Sequence, residues 1–261
     1  MARKLFALLV LLGVVASLPA QAGKAVILRW HGQSFFSLET SQGTRVVFDP
    51  HAIEGYGRQT QKAEIILVSH FHNDHTQVGV IENYQKAKII AGLKGTPKKP
   101  EWNIVDEKVH DVRIRSVGTY HDTTQGMERG KNAVFIVEAD GMRFVHLGDV
   151  GHGLSAEQVE QVLGKDKAGK PGTIDVLMVP VGGIYTINGS EAKKIVEQLK
   201  PKKYILPMHY GTKVFDEVLG PEEFLDEQKK ENVRKAENTN KLVVEPESKP
   251  NEPQIVLLGW K

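Results

Sequence analysis

The chain has 261 residues, 40% hydrophobic and 25% charged, which suits a globular fold of ordinary size and excludes a disordered, collagenous or multi-pass membrane chain. A chain this long can bury a sizeable core without covalent staples. It contains no cysteine, so disulfides, thiolate metal ligands and a cysteine nucleophile are excluded. The formal net charge is only +2.

In chain order, residues 1–22 read as an export leader that does not belong to the fold. Arg3 and Lys4 form a short basic start, Leu5 to Val15 is apolar apart from Gly13, and Ala20-Gln21-Ala22 is a small-residue cleavage signal. The apolar run is shorter than the about 20 residues a spanning helix needs. Cleavage after Ala22 is expected to leave one domain, 23–261, in a bacterial periplasm or outside the cell, with no stable membrane insertion. Losing the two basic residues leaves 32 basic against 32 acidic. A chain so balanced lacks the basic footprint of a nucleic-acid binder, and no nucleic-acid partner is expected.

Short β-rich segments follow at Ala25–Trp30, Ser34–Glu39 and Arg45–Asp49, with Gln42-Gly43 as turn chemistry between the last two. Ile65–Ser69 is an apolar run ending in a His-rich loop. The Lys-rich stretch from Lys86 to Lys99 reads as solvated surface. Val112–Tyr120 and Asn132–Ala139 read as strands, and Asp140-Gly141 signals a hairpin into Arg143–Leu147. Ser155 and Gln158 form a capping box for a helix to Leu163. Ile174–Val179 reads as a buried strand, and Ser190 is expected to cap a helix that runs to Leu199 before Pro201. Tyr204–Leu206 is a short strand, Glu222 to Lys241 a polar helix candidate, and Ile255–Trp260 a closing strand. Hairpins first and β-α units afterwards imply two packed sheets with helices outside.

Ten histidines hold most of the chemical information. His70, His72, Asp74 and His75 fall within six residues, directly after a predicted strand. Three imidazoles and a carboxylate at that spacing are metal-ligand chemistry. Alternation lets His70 and His72 point one way while Asp74 and His75 turn to a second position, so two adjacent metals suit this loop better than one. His121, Asp149 and His209 each lie just beyond a predicted strand, where distant segments gather on one rim of a sheet, and could complete such a pair. Asp49, between a strand and Pro50, is a candidate to orient a ligand His. His31 and Tyr185 are weaker candidates for a supporting or substrate-facing place, and His51 and His152 could line the pocket. His146 reads as packed in a strand and His110 as exposed. No Walker, GxGxxG or Gly-x-Ser-x-Gly pattern is present.

In order and number these motifs resemble the metallo-β-lactamase superfamily, and within it the branch of ascorbate phosphate lactonases and related metal-dependent hydrolases. Trp30-His31-Gly32-Gln33-Ser34-Phe35, Asp49-Pro50, Gly148-Asp149, Pro180 to Thr186 and Pro207 to Thr212 extend the resemblance from about Ala25 to Thr212. It implies an α/β, four-layer αββα sandwich of two mixed β-sheets flanked by helices. It also implies two divalent metals, one held by His70, His72 and His121, the other by Asp74, His75 and His209, with Asp149 bridging. Zinc is the first expectation, with manganese or iron also accommodated. Two metals at such a site share a water and lower its pKa toward about 7, and Asp74 could hold the nucleophile's proton. The expected function is an exported dinuclear hydrolase of a small ester, lactone or phosphoester. Alternatives are a phosphodiesterase or nuclease of the same fold, or a periplasmic module that binds metal without catalysis.

Overall fold

A computed structural model describes residues 24–57, 60–166 and 168–261; the expected leader, 1–22, lies outside the described residues. Five strands open the chain: β1 (Val26–Trp30), β2 (Phe36–Glu39), β3 (Arg45–Phe48), β4 (Ile65–Val68) and β5 (Lys88–Ala91). A small hairpin follows, β6 (Leu93–Thr96) with β7 (Lys99–Trp102). Next come β8 (Asp106–Val109), β9 (Val112–Tyr120), β10 (Lys131–Ala139) and β11 (Met142–His146), then α1 (Ala156–Leu163), β12 (Val176–Pro180), α2 (Gly189–Leu199) and β13 (Tyr204–Met208). The chain closes with α3 (Glu222–Leu225), β14 (Val233–Ala236), β15 (Lys241–Val244) and β16 (Gln254–Leu258).

These strands build two mixed sheets. The first has the order β15-β1-β2-β3-β4-β5, and the second β14-β16-β13-β12-β11-β10-β9-β8. In the first sheet β3, β4 and β5 are parallel and the rest antiparallel. In the second, pairing changes from antiparallel to parallel at β11. One apolar cluster fills the space between the sheets, with Leu28, Phe36, Phe48 and Leu67 from one side and Val134, Ile136 and Phe144 from the other. β4 and β12 are buried along their whole length, which is why they read as continuous apolar runs without alternation.

Both helices on the second sheet are fixed by capping boxes. Ser155 and Gln158 close α1 as the sequence implies. α2 begins earlier than expected: Asn188, not Ser190, is the cap, with Glu191 as its reciprocal partner. Ser190 instead donates to Glu223. Burial of Gly189, Ala192, Ile195 and Leu199 along one face of α2 supplies the helical period. On the outer face of the first sheet, Phe35, Val47, Ile66 and Val68 form a second cluster with Ile81, covered by loop and single 3-10 turns rather than by a long helix.

The region after Gly211 corrects one expectation. Glu222 to Lys241 is not one polar helix. It contains the four-residue α3, a 3-10 turn and the strand β14. β14 and β15 lie at sheet edges, where lysines and arginines on the exposed side discourage strand addition. A composition read as a solvated helix face is therefore the solvated side of two edge strands.

Candidate metal centre

The donor residues reach one rim because the strands that deliver them end there. His70 follows β4 by two residues, His121 follows β9 directly, Asp149 follows β11 by three, and His209 follows β13 directly. The loop 70–75 contributes its four donors through a 3-10 turn at Asn73–His75. His70, His72 and His121 bring ligand atoms within 4.8 Å of one another, and so do Asp74, His75 and His209. Asp149 stands between the two groups. Its Oδ2 lies 3.0 Å from His209 Nε2, 3.1 Å from His75 Nε2, 3.3 Å from His121 Nε2 and 3.9 Å from His70 Nε2. His70, His75, His121, Asp149 and His209 are all buried, and His72 is exposed toward the cleft.

Asp49 supports this arrangement from behind. Its two oxygens accept hydrogen bonds from Ser69 N (2.7 Å), Ser69 Oγ (2.6 Å) and His75 Nδ1 (3.0 Å). A carboxylate only accepts, so His75 must donate through Nδ1, which leaves Nε2 directed at Asp149 and Asp74. The Ser69 hydroxyl is likewise committed to Asp49, so His70 Nδ1 donates to it at 2.9 Å. His70 Nε2 then presents its lone pair to His72 Nδ1, 3.1 Å away. Asp49 holds a left-handed backbone conformation, φ 44°, a strained placement of the sort that accumulates at functional sites.

Asp149 is positioned with equal care. Its N–H donates to Asn132 Oδ1 (3.0 Å), and its Oδ1 accepts from Ser34 Oγ (3.2 Å). Asn132 Nδ2 in turn donates to Thr119 Oγ1 and Leu147 O. Gly148 has φ 55°, and a Cβ there would sit 2.3 Å from Asn132 Oδ1, so only glycine lets the turn approach the clamp this closely. Gln33 is also buried, and its Nε2 donates to Asp74 Oδ2 at 3.3 Å.

The electrostatics of the cluster are set by burial and by the close approach of imidazoles to carboxylates. Burial pushes Asp149 up, yet the neighbouring imidazoles of His209 and His75 outweigh it and hold the carboxyl well below its ordinary range. Burial pushes His75 down, but Asp149 and Asp49 on either side raise it well above the usual imidazole value. A proton on His75 is thus the smallest cation this position accepts. Burial dominates at His70 and His72 and keeps both low, in the neutral form that a metal requires. Four imidazole Nε2 atoms crowded around one buried carboxylate oxygen form a donor set that fits divalent metal.

The cluster opens into a cleft of about 370 Å³ whose walls include Gln33, Asp74, Arg129, Tyr185, Phe215 and Glu217. A larger cleft of about 580 Å³, lined by Trp102, Tyr120 and His152, lies alongside and contains none of the seven donors. Of the remaining sequence candidates, Tyr185 stands in the metal cleft, half-exposed. His31 bonds to Ser37 Oγ and Gln61, away from the cluster. His146 is stacked on Phe48 at 5.1 Å and bonded to Ser34 O. His51 bonds to Gly32 O, and burial lowers it to about 4. His152 accepts from Tyr120 N beside the larger cleft, and His110 sits in an exposed turn with φ 54°. The sequence reading missed the supporting roles of Gln33 and Asn132 and the presence of Arg129 at the cleft. An Asn within an apolar strand was the one available signal.

Residues 27–209 match the family described as the Beta-lactamase superfamily domain. A Thermotoga maritima protein, a candidate Zn-dependent hydrolase of the metallo-β-lactamase superfamily, superposes with a TM-score of 0.64 at 31% identity, covering 90% of this chain and 98% of its own. The chain belongs to the metallo-β-lactamase superfamily. Within it, a UPF0173 protein of Pyrococcus furiosus is 31% identical over 78% of this chain and 91% of its own length. A UPF0173 metal-dependent hydrolase of Thermococcus onnurineus is 27% identical over 72% and 85%. The metallo-β-lactamase match ends at His209, the last of the donors in the chain.

Proposed function

We propose that the protein is an exported hydrolase that binds two divalent metals and cleaves a small ester, lactone or phosphoester. The observation that carries this reading is the convergence of four imidazole Nε2 atoms within 3.0–3.9 Å of one buried carboxylate oxygen, Asp149 Oδ2, at the floor of a cleft. His70, His72 and His121 would hold one metal and Asp74, His75 and His209 the other, with Asp149 shared. Imidazole and carboxylate donors without thiolate favour zinc, and manganese or iron suit the same set. The relatives named as metal-dependent hydrolases support the reaction class.

Metals bound there would supply an activated water and polarise the electrophile. The protein's own residues do the rest. Asp49 and Ser69 fix the tautomers of His75 and His70, so the donors need little rearrangement when metal binds. Asp74 faces the cleft, its Oδ2 oriented by Gln33, and can take the proton released by the attacking water. Tyr185 can donate to the oxygen that becomes anionic as the substrate carbon or phosphorus is attacked. A cleft of about 370 Å³ falls at the small end of ligand sites, which favours a small molecule over a polymer. Residues 1–22 would direct export, and no helix among the described residues is long and apolar enough to cross a membrane.

The decisive experiment pairs metal analysis with turnover of a lactone and a phosphodiester by metal-loaded protein, each beside Asp149→Asn. About two ions per chain, and hydrolysis of one substrate that Asp149→Asn abolishes, is the expected result. Full metal loading without turnover of any ester, lactone or phosphoester tested would sink the hydrolase reading. The export reading fails if the protein from the periplasmic fraction does not begin at residue 23.

A further inference from the structure

Among the described residues, Arg129 is the one arginine or lysine side chain in the wall of the metal cleft, which it shares with Asp74 and Glu217. Among them no strong ion pair holds it there. Its contact with Glu128 is 3.9 Å long, and the Glu128 side chain is 60% exposed, a geometry that contributes little to stability. The fold nevertheless spends a good deal of structure on presenting it. Asp122, buried directly after His121, accepts five hydrogen bonds from the loop that follows: from Thr124 N and Oγ1, Gly126 N, Glu128 N and Arg129 N, at 2.7–3.1 Å. The last of these pins the backbone of Arg129 itself. Gly126 and Gly130, with φ 83° and 90°, permit the turns on either side.

At the cleft, the Arg129 guanidinium lies over the Tyr185 ring, 5.5 Å from its centroid. A guanidinium placed over a ring in this way can keep its N–H edges turned to the cleft, and those edges suit a two-point grip on an oxyanion. The surroundings add a second preference. Ile53, Tyr185 and Phe215 line the same cleft, Ile53 and Phe215 half-buried and Tyr185 exposed. Apolar walls around a few placed polar groups are the usual makeup of a small-molecule site.

We infer that Arg129 is a specificity residue that grips an oxyanion group of the substrate, a carboxylate or a phosphate, while Ile53, Tyr185 and Phe215 take an apolar substituent. This inference rests on the hydrolase reading for its placement beside the reaction. The substrate would then be an amphiphilic anion, with its cleaved bond at the metal centre and its charge at Arg129. The carboxylates of Asp74 and Glu217 would repel that charge from the rest of the wall.

The test compares the metal-loaded wild type with Arg129→Gln and Arg129→Lys. The Gln variant keeps the backbone N–H that Asp122 holds, so the loop is retained. Binding is read by calorimetry with three inert probes: 4-phenylbutyrate, benzylphosphonate and the neutral 4-phenylbutyramide. Arg129→Gln should weaken at least one anion about tenfold and leave the amide within about twofold, with Arg129→Lys in between. Which anion loses more tells carboxylate from phosphate. In parallel, 4-nitrophenyl hydrogen adipate and 4-nitrophenyl hexanoate are compared as substrates. The variant should raise KM for the charged ester about tenfold with kcat nearly unchanged, and spare the neutral ester. Equal effects on charged and neutral probes, or none on either, would overturn the inference. If neither ester turns over, the ester-hydrolase reading suffers while the calorimetry still decides the role of Arg129.

Discussion

The two halves of the metal centre are built in opposite ways. The first sheet delivers His70, His72, Asp74 and His75 from a single loop after β4, stiffened by one 3-10 turn and backed by Asp49. The second sheet delivers His121, Asp149 and His209 singly, from the ends of β9, β11 and β13, and positions Asp149 through Asn132 and Ser34. A contiguous loop makes its donors neighbours by chain connectivity alone. The separated donors become neighbours only when the sheet register is right. The contiguous donors depend little on long-range register, whereas the separated ones tie the geometry of the centre to the integrity of the sheet.

The largest expected effect lies in the separated half. His209→Ala removes the imidazole nearest Asp149, 3.0 Å away, and should lower kcat/KM by on the order of 10³-fold. Bound metal should fall from about two ions to about one per chain. Full metal content in that variant would show that the contiguous loop holds both ions and would break the comparison. Asp49→Asn probes the other half with a smaller expected loss. Its amide cannot accept from Ser69 N, Ser69 Oγ and His75 together. Chelator competition should show metal affinity reduced about 10–100-fold, as for other residues that orient a ligand histidine. An unchanged affinity would mean that the loop's own turn is sufficient.

The same contrast explains what the sequence made legible. Four donors in six residues are visible without any fold, and the separated three are visible because each follows a β-rich run. What hid was anything whose meaning depends on tertiary neighbours. Gln33 and Asn132 look like ordinary polar residues until burial places one against Asp74 and the other under Asp149. Arg129 looks like loop charge until Asp122 folds its loop toward the cleft. The strands β14 and β15 were hidden for a different reason. Their charged residues lie on the solvent side of sheet edges, with only Ala236, Leu242 and Val244 buried, and that sparse alternation was outweighed by the composition of the whole stretch. At α2 the expected cap, Ser190, gives way to Asn188, because Glu191 three residues further on completes a capping box with it.

The smallest expected effect concerns how the separated half anchors its own mouth. Burial pushes Asp122 up, but hydrogen bonds from Arg129 N, Gly126 N and Thr124 outweigh it and hold the carboxyl well below the ordinary range. A carboxyl depressed in the folded state contributes stability that is fully present above its unfolded value of about 3.9 and is lost as pH falls toward the folded value. Asp122→Asn should therefore cost about 1–2 kcal/mol at neutral pH, and the gap between wild type and variant should narrow below about pH 4. Urea unfolding at a series of pH values checks both. Hydrogen exchange should show the amides of Gly126, Glu128 and Arg129 losing protection in the variant, while those of Ser69 and His75, which depend on Asp49 and the chain's own turn, keep theirs. Equal loss in both loops would mean that the two halves of the centre are coupled through the donors themselves, and that the difference in their construction does not extend to their stability.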